Sequence, residues 1–304
     1  MRNRNESLLE APDASGVACQ WEWTSDLHIA SVFPSTGLRL MKRALDDFPI
    51  ALVPSRKPAT DPEVSVVIGH AGEERQPLLL KTLASFGGQE DVRLQCIVVE
   101  QSPRPAIQND LPDWVDYRHV EVPPGAPYNR ARAFNTGVEL ATASTLVLHD
   151  NDILVPCCYA RVAVDRLAQG WDFANLKRFI FYLSEKHSRV IEGQTGGLLA
   201  RTPQAVVQNA LGGSIAATKK AYLEIGGFDE SFEGWGSEDN EFWDRAGTRR
   251  VWDYGHLPMV HLWHRAQKEK LAGSQAPSSA RYRELESVDP AQRIRRLRTP
   301  QSLQ

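Results

Sequence analysis

Between Val64 and Leu148, short apolar, β-branched runs alternate with stretches of helical spacing. That alternation limits the folds open to this chain more than any other feature. Val64-Ser-Val-Val-Ile68 reads as a buried strand, Leu78 to Phe86 as a helix and Leu94 to Val99 as a second strand. Tyr117 to Val122 is a weaker strand, Ala131 to Ala141 a helix, and Thr145 to Leu148 a third buried strand. Strands apolar on both faces and separated by helices predict an α/β fold with a mostly parallel central sheet covered by helices. The main domain spans residues 61–270 on this reading, split into 61–156 and 157–270. Residues 1–60 hold Trp21, Trp23, a short helix over Thr36 to Asp46 and a Pro-marked connector, and read as an accessory segment packed on the sheet. Residues 271–304 form a polar tail with six arginines from Arg281 to Arg298, expected as a solvated helix.

Charge and cysteine usage narrow the function classes. The 304 residues carry 35 Lys and Arg against 38 Asp and Glu, a formal charge of −3, which gives no global field for holding a polyanion and speaks against nucleic acid as a partner. Cys19, Cys96, Cys157 and Cys158 make no CxxC pair and fit a reducing compartment. No apolar run approaches the roughly 18 residues of a membrane span, and the polar start does not read as a signal peptide. A soluble, cytoplasmic protein is the expectation.

Chemistry in open α/β sheets collects beyond the carboxyl ends of strands, and one such end reads Leu146-Val-Leu-His-Asp-Asn-Asp152. In an extended chain Asp150 and Asp152 would share a side, where a hard cation relieves their repulsion. A helix cap by Asp150 or Asn151 near Pro156 is the plainer alternative. His261 and His264 are spaced to share one metal, or else to sit on a half-buried element among aromatic neighbours. Between these clusters lies Gly234-Trp-Gly-Ser-Glu-Asp239. Gly236 and its partner glycine leave Trp235 unobstructed for the apolar face of a sugar, and Ser237 is expected to cap a helix whose first turn carries Glu238 and Asp239.

Taken in order, four segments resemble the metal-dependent glycosyltransferases of GT-A fold, and within them the β-1,4-galactosyltransferase-like group. They are Tyr128-Asn-Arg-Ala-Arg-Ala-Phe-Asn-Thr-Gly137, His149-Asp-Asn-Asp-Ile-Leu-Val-Pro156 with its Asp-x-Asp motif, Gly212-Gly-Ser-Ile-Ala-Ala-Thr-Lys219 with Gly227-Phe-Asp, and Gly234-Trp-Gly-Ser-Glu-Asp239. Together they cover roughly Glu63 to Lys270. The resemblance implies that 61–156 binds the nucleotide of a UDP-sugar and that 157–270 supplies acceptor and metal contacts. By it, Glu100 stands where relatives hold an acid for the uridine, Tyr128 packs on the uracil, and Arg75 and Arg130 contact phosphate or nucleotide. Asp150 faces the ribose, and Gly213 belongs to the donor site. Asp152, His261 and His264 hold Mn²⁺ or, second, Mg²⁺. Asp239 is the implied base, Glu238 positions sugar or acceptor, and Trp235 with Gly236 forms a sugar-stacking lid.

The implied activity is inverting transfer of a hexose, Gal or GalNAc, from a UDP-sugar to a hydroxyl of a carbohydrate, glycolipid or small-molecule acceptor. A transferase of the polypeptide GalNAc or chondroitin-polymerase sort, a metallohydrolase and a non-catalytic sugar-binding module are the alternatives. The arginine-rich tail is a candidate for weak contact with an anionic membrane surface.

Overall fold

The computed structural model describes residues 7–10, 17–20, 24–193, 197–234, 236–265 and 276–299. Strands β1 (Ser7–Glu10) and β2 (Val17–Gln20) pair as an antiparallel ribbon. They are followed by β3 (Ser25–Asp26) and helices α1 (His28–Val32) and α2 (Pro34–Asp47). The expected alternation comes next: β4 (Val64–His70), α3 (Gln76–Gly87), β5 (Leu94–Ser102), β6 (Val115–Glu121), α4 (Arg130–Leu140) and β7 (Thr145–His149). The second half adds β8 (Ile153–Leu154), α5 (Tyr159–Ala168), β9 (Phe173–Ala174), β10 (Lys177–Tyr182), α6 (Glu185–Gly193), β11 (Ala205–Gln208) and β12 (Ser214–Thr218). It closes with α7 (Lys219–Glu224), α8 (Glu238–Ala246), β13 (Val251–Trp252), β14 (Leu257–His261), α9 (Pro277–Leu285) and α10 (Pro290–Arg298).

The main sheet runs β13-β9-β12-β7-β4-β5-β6, and β7, β4, β5 and β6 are mutually parallel. Its middle strands are apolar on both faces because each face meets its own core. Val64, Val66 and Ile68 of β4 join the cluster around Leu83 and Phe86 of α3, while Val67 between them joins the cluster around Phe134 of α4. β12 enters antiparallel beside β7 and interrupts the parallel order.

A second, five-stranded sheet, β3-β11-β10-β14-β8, was not expected from the sequence, which breaks into short strands with little periodicity after residue 157. The accessory segment belongs to it. β3 pairs with β11, and α2 buries Met41 and Leu45, one turn apart, in a cluster with Phe181, Val260 and Leu262. Trp21, Trp23 and the boundary at residues 270–271 lie outside the described residues.

The tail corrects another expectation. It forms two helices docked on α8 instead of one solvated helix, with Ile294 buried and Arg293 paired to Glu241 at 3.5 Å and Asp244 at 3.0 Å. α8 is also held from beneath by Arg245, a fully buried guanidinium. Its Nε and Nη2 donate to Glu241 at 2.6–3.0 Å, and its Nη1 donates to the carbonyls of Ile225 at 2.6 Å and Gly227 at 2.7 Å. Removing one member leaves the other charge buried without its counterpart. Arg245→Ala is therefore expected to cost about 3–5 kcal/mol in urea denaturation, and a loss under about 1 kcal/mol would rank the pair with surface ion pairs.

Candidate active site

Three registers bring the site together. β4 and β7 run parallel with Ile68 beside His149, so the turns after both strands open at one edge of the sheet. β12 runs the other way with Ser214 beside His149, which puts the turn entering it, Gly212-Gly213, at that same edge; the Gly213 carbonyl accepts from the Asp150 N–H at 2.9 Å. β14 pairs antiparallel with β8, His261 opposite Ile153, and so lays its end beside Asp152. The resulting cleft has a volume of about 1510 Å³ and is lined by Arg75, Tyr128, Arg130, Asp150, Asp152, Gly213, Gly236, Glu238, Asp239, His261 and His264 among others.

Asp152 is 4% exposed. Its Oδ2 lies 3.0 Å from Arg75 Nη1 and 3.2 Å from His264 Nε2, and its Oδ1 lies 3.7 Å from His261 Nε2 with no hydrogen-bond partner. Burial would raise this carboxyl, but His261, His264 and Arg75 facing it hold it well below the usual carboxylate range. One ligand atom from each of Asp152, His261 and His264 falls within 4.8 Å of the others. His264 Nδ1 lies 3.0 Å from Arg75 Nη2 and 2.8 Å from the Arg265 carbonyl, and these contacts turn Nε2 toward Asp152. One carboxylate, two imidazoles and an orphaned carboxylate oxygen are a donor set that fits a borderline divalent ion such as Mn²⁺. Tyr182 stacks on His261 with ring centroids 4.4 Å apart and fixes its plane.

Beside this group Arg130 gathers three acids. The Asn129 side chain accepts from the Arg132 N–H at 2.8 Å, which caps α4 and sets Arg130 at its first position. Arg130 Nε donates to Asp150 at 2.7 Å, and Nη1 donates to Asp239 at 2.6 Å and reaches Glu238 at 3.4 Å. Its guanidinium also lies over the Phe134 ring at 4.6 Å. Glu238 is pushed up to about 7 by burial and by Asp239, against the pull of Arg130. A Cβ at Gly212 would fall on the Asp239 carboxylate, so this position must be glycine for the acid to sit where it does.

Several expectations change. Ser237 does not cap α8: its backbone is left-handed at φ 66°, its Oγ turns toward Ser279 Oγ at 3.5 Å, and the Gly236 N–H donates to Glu238 Oε2 at 3.1 Å. Asp150 and Asp152 lie on a turn, not an extended strand, and address separate partners, Arg130 and Arg75. Neither Asp150 nor Asn151 caps α5, which begins at Tyr159; Asn151 donates to His70 Nδ1 at 3.0 Å. Arg130, expected to contact phosphate or nucleotide, lines the cleft and there holds three carboxylates. Glu100 does not line the cleft. It accepts from Tyr117 at 2.5 Å, Ser102 at 2.8 Å and the Ala106 and Ile107 N–H groups. Burial alone would raise it, but those bonds outweigh burial and hold it below its ordinary value. Trp235 lies outside the described residues.

Sequence reasoning missed three contributors. Lys177 is 1% exposed, and its ammonium donates to Asn175 Oδ1 at 2.8 Å, the Leu211 carbonyl at 3.2 Å and the Ser214 carbonyl at 2.7 Å, tying down both ends of the Gly212-Gly213 turn. Trp243 packs against the core around Phe242 and donates its indole N–H to the Leu211 carbonyl at 3.0 Å, and Trp263 lines the cleft. A lysine heading an apolar strand was the one sequence signal on offer.

Arg130→Met strands three carboxylates and is expected to cost about 3–5 kcal/mol at pH 8. The loss should shrink toward pH 5. A carboxyl raised to about 7 binds more protons folded than unfolded, so the charge that needs Arg130 disappears as pH falls through 7. A pH-independent loss in denaturation midpoints would contradict this.

A family model described as the N-terminal domain of galactosyltransferase matches residues 202–251, the stretch holding Gly212, Gly213, Glu238 and Asp239. No curated protein matches the chain. Among solved structures, the mannosyltransferase PcManGT from Pyrobaculum calidifontis, in complex with GDP-Man and Mn²⁺, is similar with a TM-score of 0.44 and 15% identity, covering 89% of this chain and 83% of that one. S. aureus TarS 1-349 is similar with a TM-score of 0.43 and 13% identity over 66% of this chain and 58% of that chain, so the match spans less than two thirds of it. Over residues 202–251 the sequence is glycosyltransferase-like, and that likeness falls on the Gly212-Gly213 turn and the acidic start of α8.

Proposed function

We propose that this chain is a metal-dependent inverting glycosyltransferase that moves a hexose, Gal or GalNAc, from a UDP-sugar to an acceptor hydroxyl. The observation that carries the reading is the meeting, in one cleft, of a three-ligand group, Asp152, His261 and His264, with an arginine-held acid pair, Glu238 and Asp239, over a glycine turn. The galactosyltransferase match over the second of these supports it.

Bound to Asp152, His261 and His264, Mn²⁺ would neutralise the donor diphosphate as negative charge builds on the departing UDP. Arg75, already 3.0 Å from Asp152, adds a second cation at that place. Tyr128 offers its ring to the uracil and Asp150 its carboxylate to the ribose side, both from the cleft wall. Asp239 takes the acceptor proton as the hydroxyl attacks. Arg130 Nη1, 2.6 Å from its Oδ1, holds the carboxylate in place for that step. A single attack opposite the leaving group gives inversion. Glu238, with its raised carboxyl, retains a proton well into the neutral range and serves to hold a sugar hydroxyl. Ala210 and Leu211 line the cleft beside the glycine turn, and neither carries a ring that would exclude an N-acetyl group from the donor.

Thermal-shift screening of UDP-sugars tests the class: stabilisation by UDP that requires Mn²⁺ is expected, and no response to UDP, or an equal one in EDTA, overturns it. Asp152→Asn and His264→Ala should each weaken Mn²⁺ binding by tenfold or more, since even outer partners of a ligand are worth about 10–100-fold; titration by electron paramagnetic resonance reads this. Asp239→Asn should leave UDP and Mn²⁺ binding nearly intact while UDP release falls by at least about a hundredfold. Near-normal turnover would remove Asp239 from the role.

A further inference from the structure

A second cavity, of about 650 Å³, lies where α9, α10 and the loop before Gly234 meet. Arg281, Arg293, Arg296 and Arg298 line it with the Ser231 hydroxyl, and Asp229 is the one acid in its wall. Part of this charge is answered elsewhere. Arg293 is 3% exposed and pairs through its Nη atoms with Glu241 and Asp244, while its Nε has no partner; Arg281 meets Glu284 at 3.2 Å and Ser231 at 3.3 Å. Arg296 and Arg298 are exposed and have no acidic partner among the described residues. Arginines in the last turn of α10 are ordinary company for a helix C-terminus. That does not account for a guanidinium from a different helix, Arg281, and a buried one, Arg293, converging with them on a hollow.

The cavity adjoins the cleft through α9. Ser279 lines the cleft, and Arg281, two residues on and so about 3 Å further along the helix axis, lines the cavity. Ser231, which accepts from Arg281, lies three residues before Gly234 of the cleft wall. The two hollows carry opposite charge: acids dominate the cleft, arginines the cavity. Guanidinium groups converging on a concave site suit a discrete phosphate, which they bind through paired N–H donors; a flat lipid surface has no need of a hollow.

We propose that this cavity is a second anion site, independent of metal, that seats a phosphate group carried by the acceptor. Anion binding here rests on the arginines alone; its assignment to the acceptor rests on the transferase reading above. The acceptor lies across α9, its phosphate among Arg281, Arg296 and Arg298 and its reactive hydroxyl toward Asp239. No donor is required to fill the cavity, because the cleft holds its own cations for the donor diphosphate, Arg75 and the metal group.

The test compares the full chain with the double variant Arg296→Gln/Arg298→Gln, whose residues lie outside the cleft. By calorimetry in EDTA, pyrophosphate should bind the variant at least about tenfold more weakly, the scale of one lost charged hydrogen bond. With UDP and Mn²⁺ saturating, glucose 1-phosphate should still bind the unaltered chain and lose a similar factor in the variant, while methyl glucoside shows no difference. Pyrophosphate affinity within twofold of the unaltered chain overturns the site. Capture of phosphatidylglycerol vesicles that the variant loses, without any pyrophosphate response, overturns it in favour of a lipid surface. Should UDP with Mn²⁺ fail to bind either protein while the pyrophosphate difference remains, the anion site stands and the transferase reading falls.

Discussion

The site depends on one guanidinium. Arg130 is 8% exposed and lies within 3.4 Å of oxygens from Asp150, Glu238 and Asp239, three carboxylates drawn from two distant parts of the chain. Without a cation among them these acids would repel and take up protons. The cap at Asn129 and the aromatic faces of Phe134 and Phe228 hold the guanidinium in place, so the acidic wall is a product of how α4 begins. The same residue motif is used twice over. Asn135, one and a half turns further along α4, accepts from Tyr222 and the Phe228 N–H and donates to the Phe228 carbonyl, which fixes the turn leading toward α8.

Two buried cations divide the labour around the acids. Arg130 neutralises the carboxylates directly, whereas Lys177 works on backbone, its three donors spent on the carbonyls flanking the glycine turn and on Asn175. The lysine is pushed down to about 7 by burial, against the pull of Asp239. Both are buried, Arg130 in the cleft wall and Lys177 behind it, so the geometry of the site is poorly screened by solvent salt.

The first half of the fold was readable because β4, β5 and β7 are buried on both faces, while half-exposed β6 is the strand that read weakest. Strands buried on both faces announce themselves as continuous apolar runs, and each observed strand from β4 to β7 falls within a few residues of the expected one. The second half was not, because β8, β9 and β13 are two residues long and carry no period. Residues whose chemistry is local to a motif, Asp152, His261, His264, Glu238 and Asp239, could be named from the sequence, and they line one cleft. What the sequence could not assign was partnership. Glu100 was read as facing a ligand, yet it is taken up by the loop it closes; Arg130 lines the cleft, and its partners there are acids up to 109 residues away.

The span between partners also bears on how the molecule comes into being. Arg75 meets His264 across 189 positions and Arg130 meets Asp239 across 109, so neither cluster can form from a neighbouring stretch of chain. Contacts of such separation repay their loop-closure entropy only after much of the molecule has condensed. During synthesis Asp150 and Asp152 emerge well ahead of Glu238, Asp239 and both histidines. For that interval Arg75 and Arg130, made earlier still, are the neutralising partners already on hand. The cleft thus passes through its own assembly with its first two acids already matched to cations.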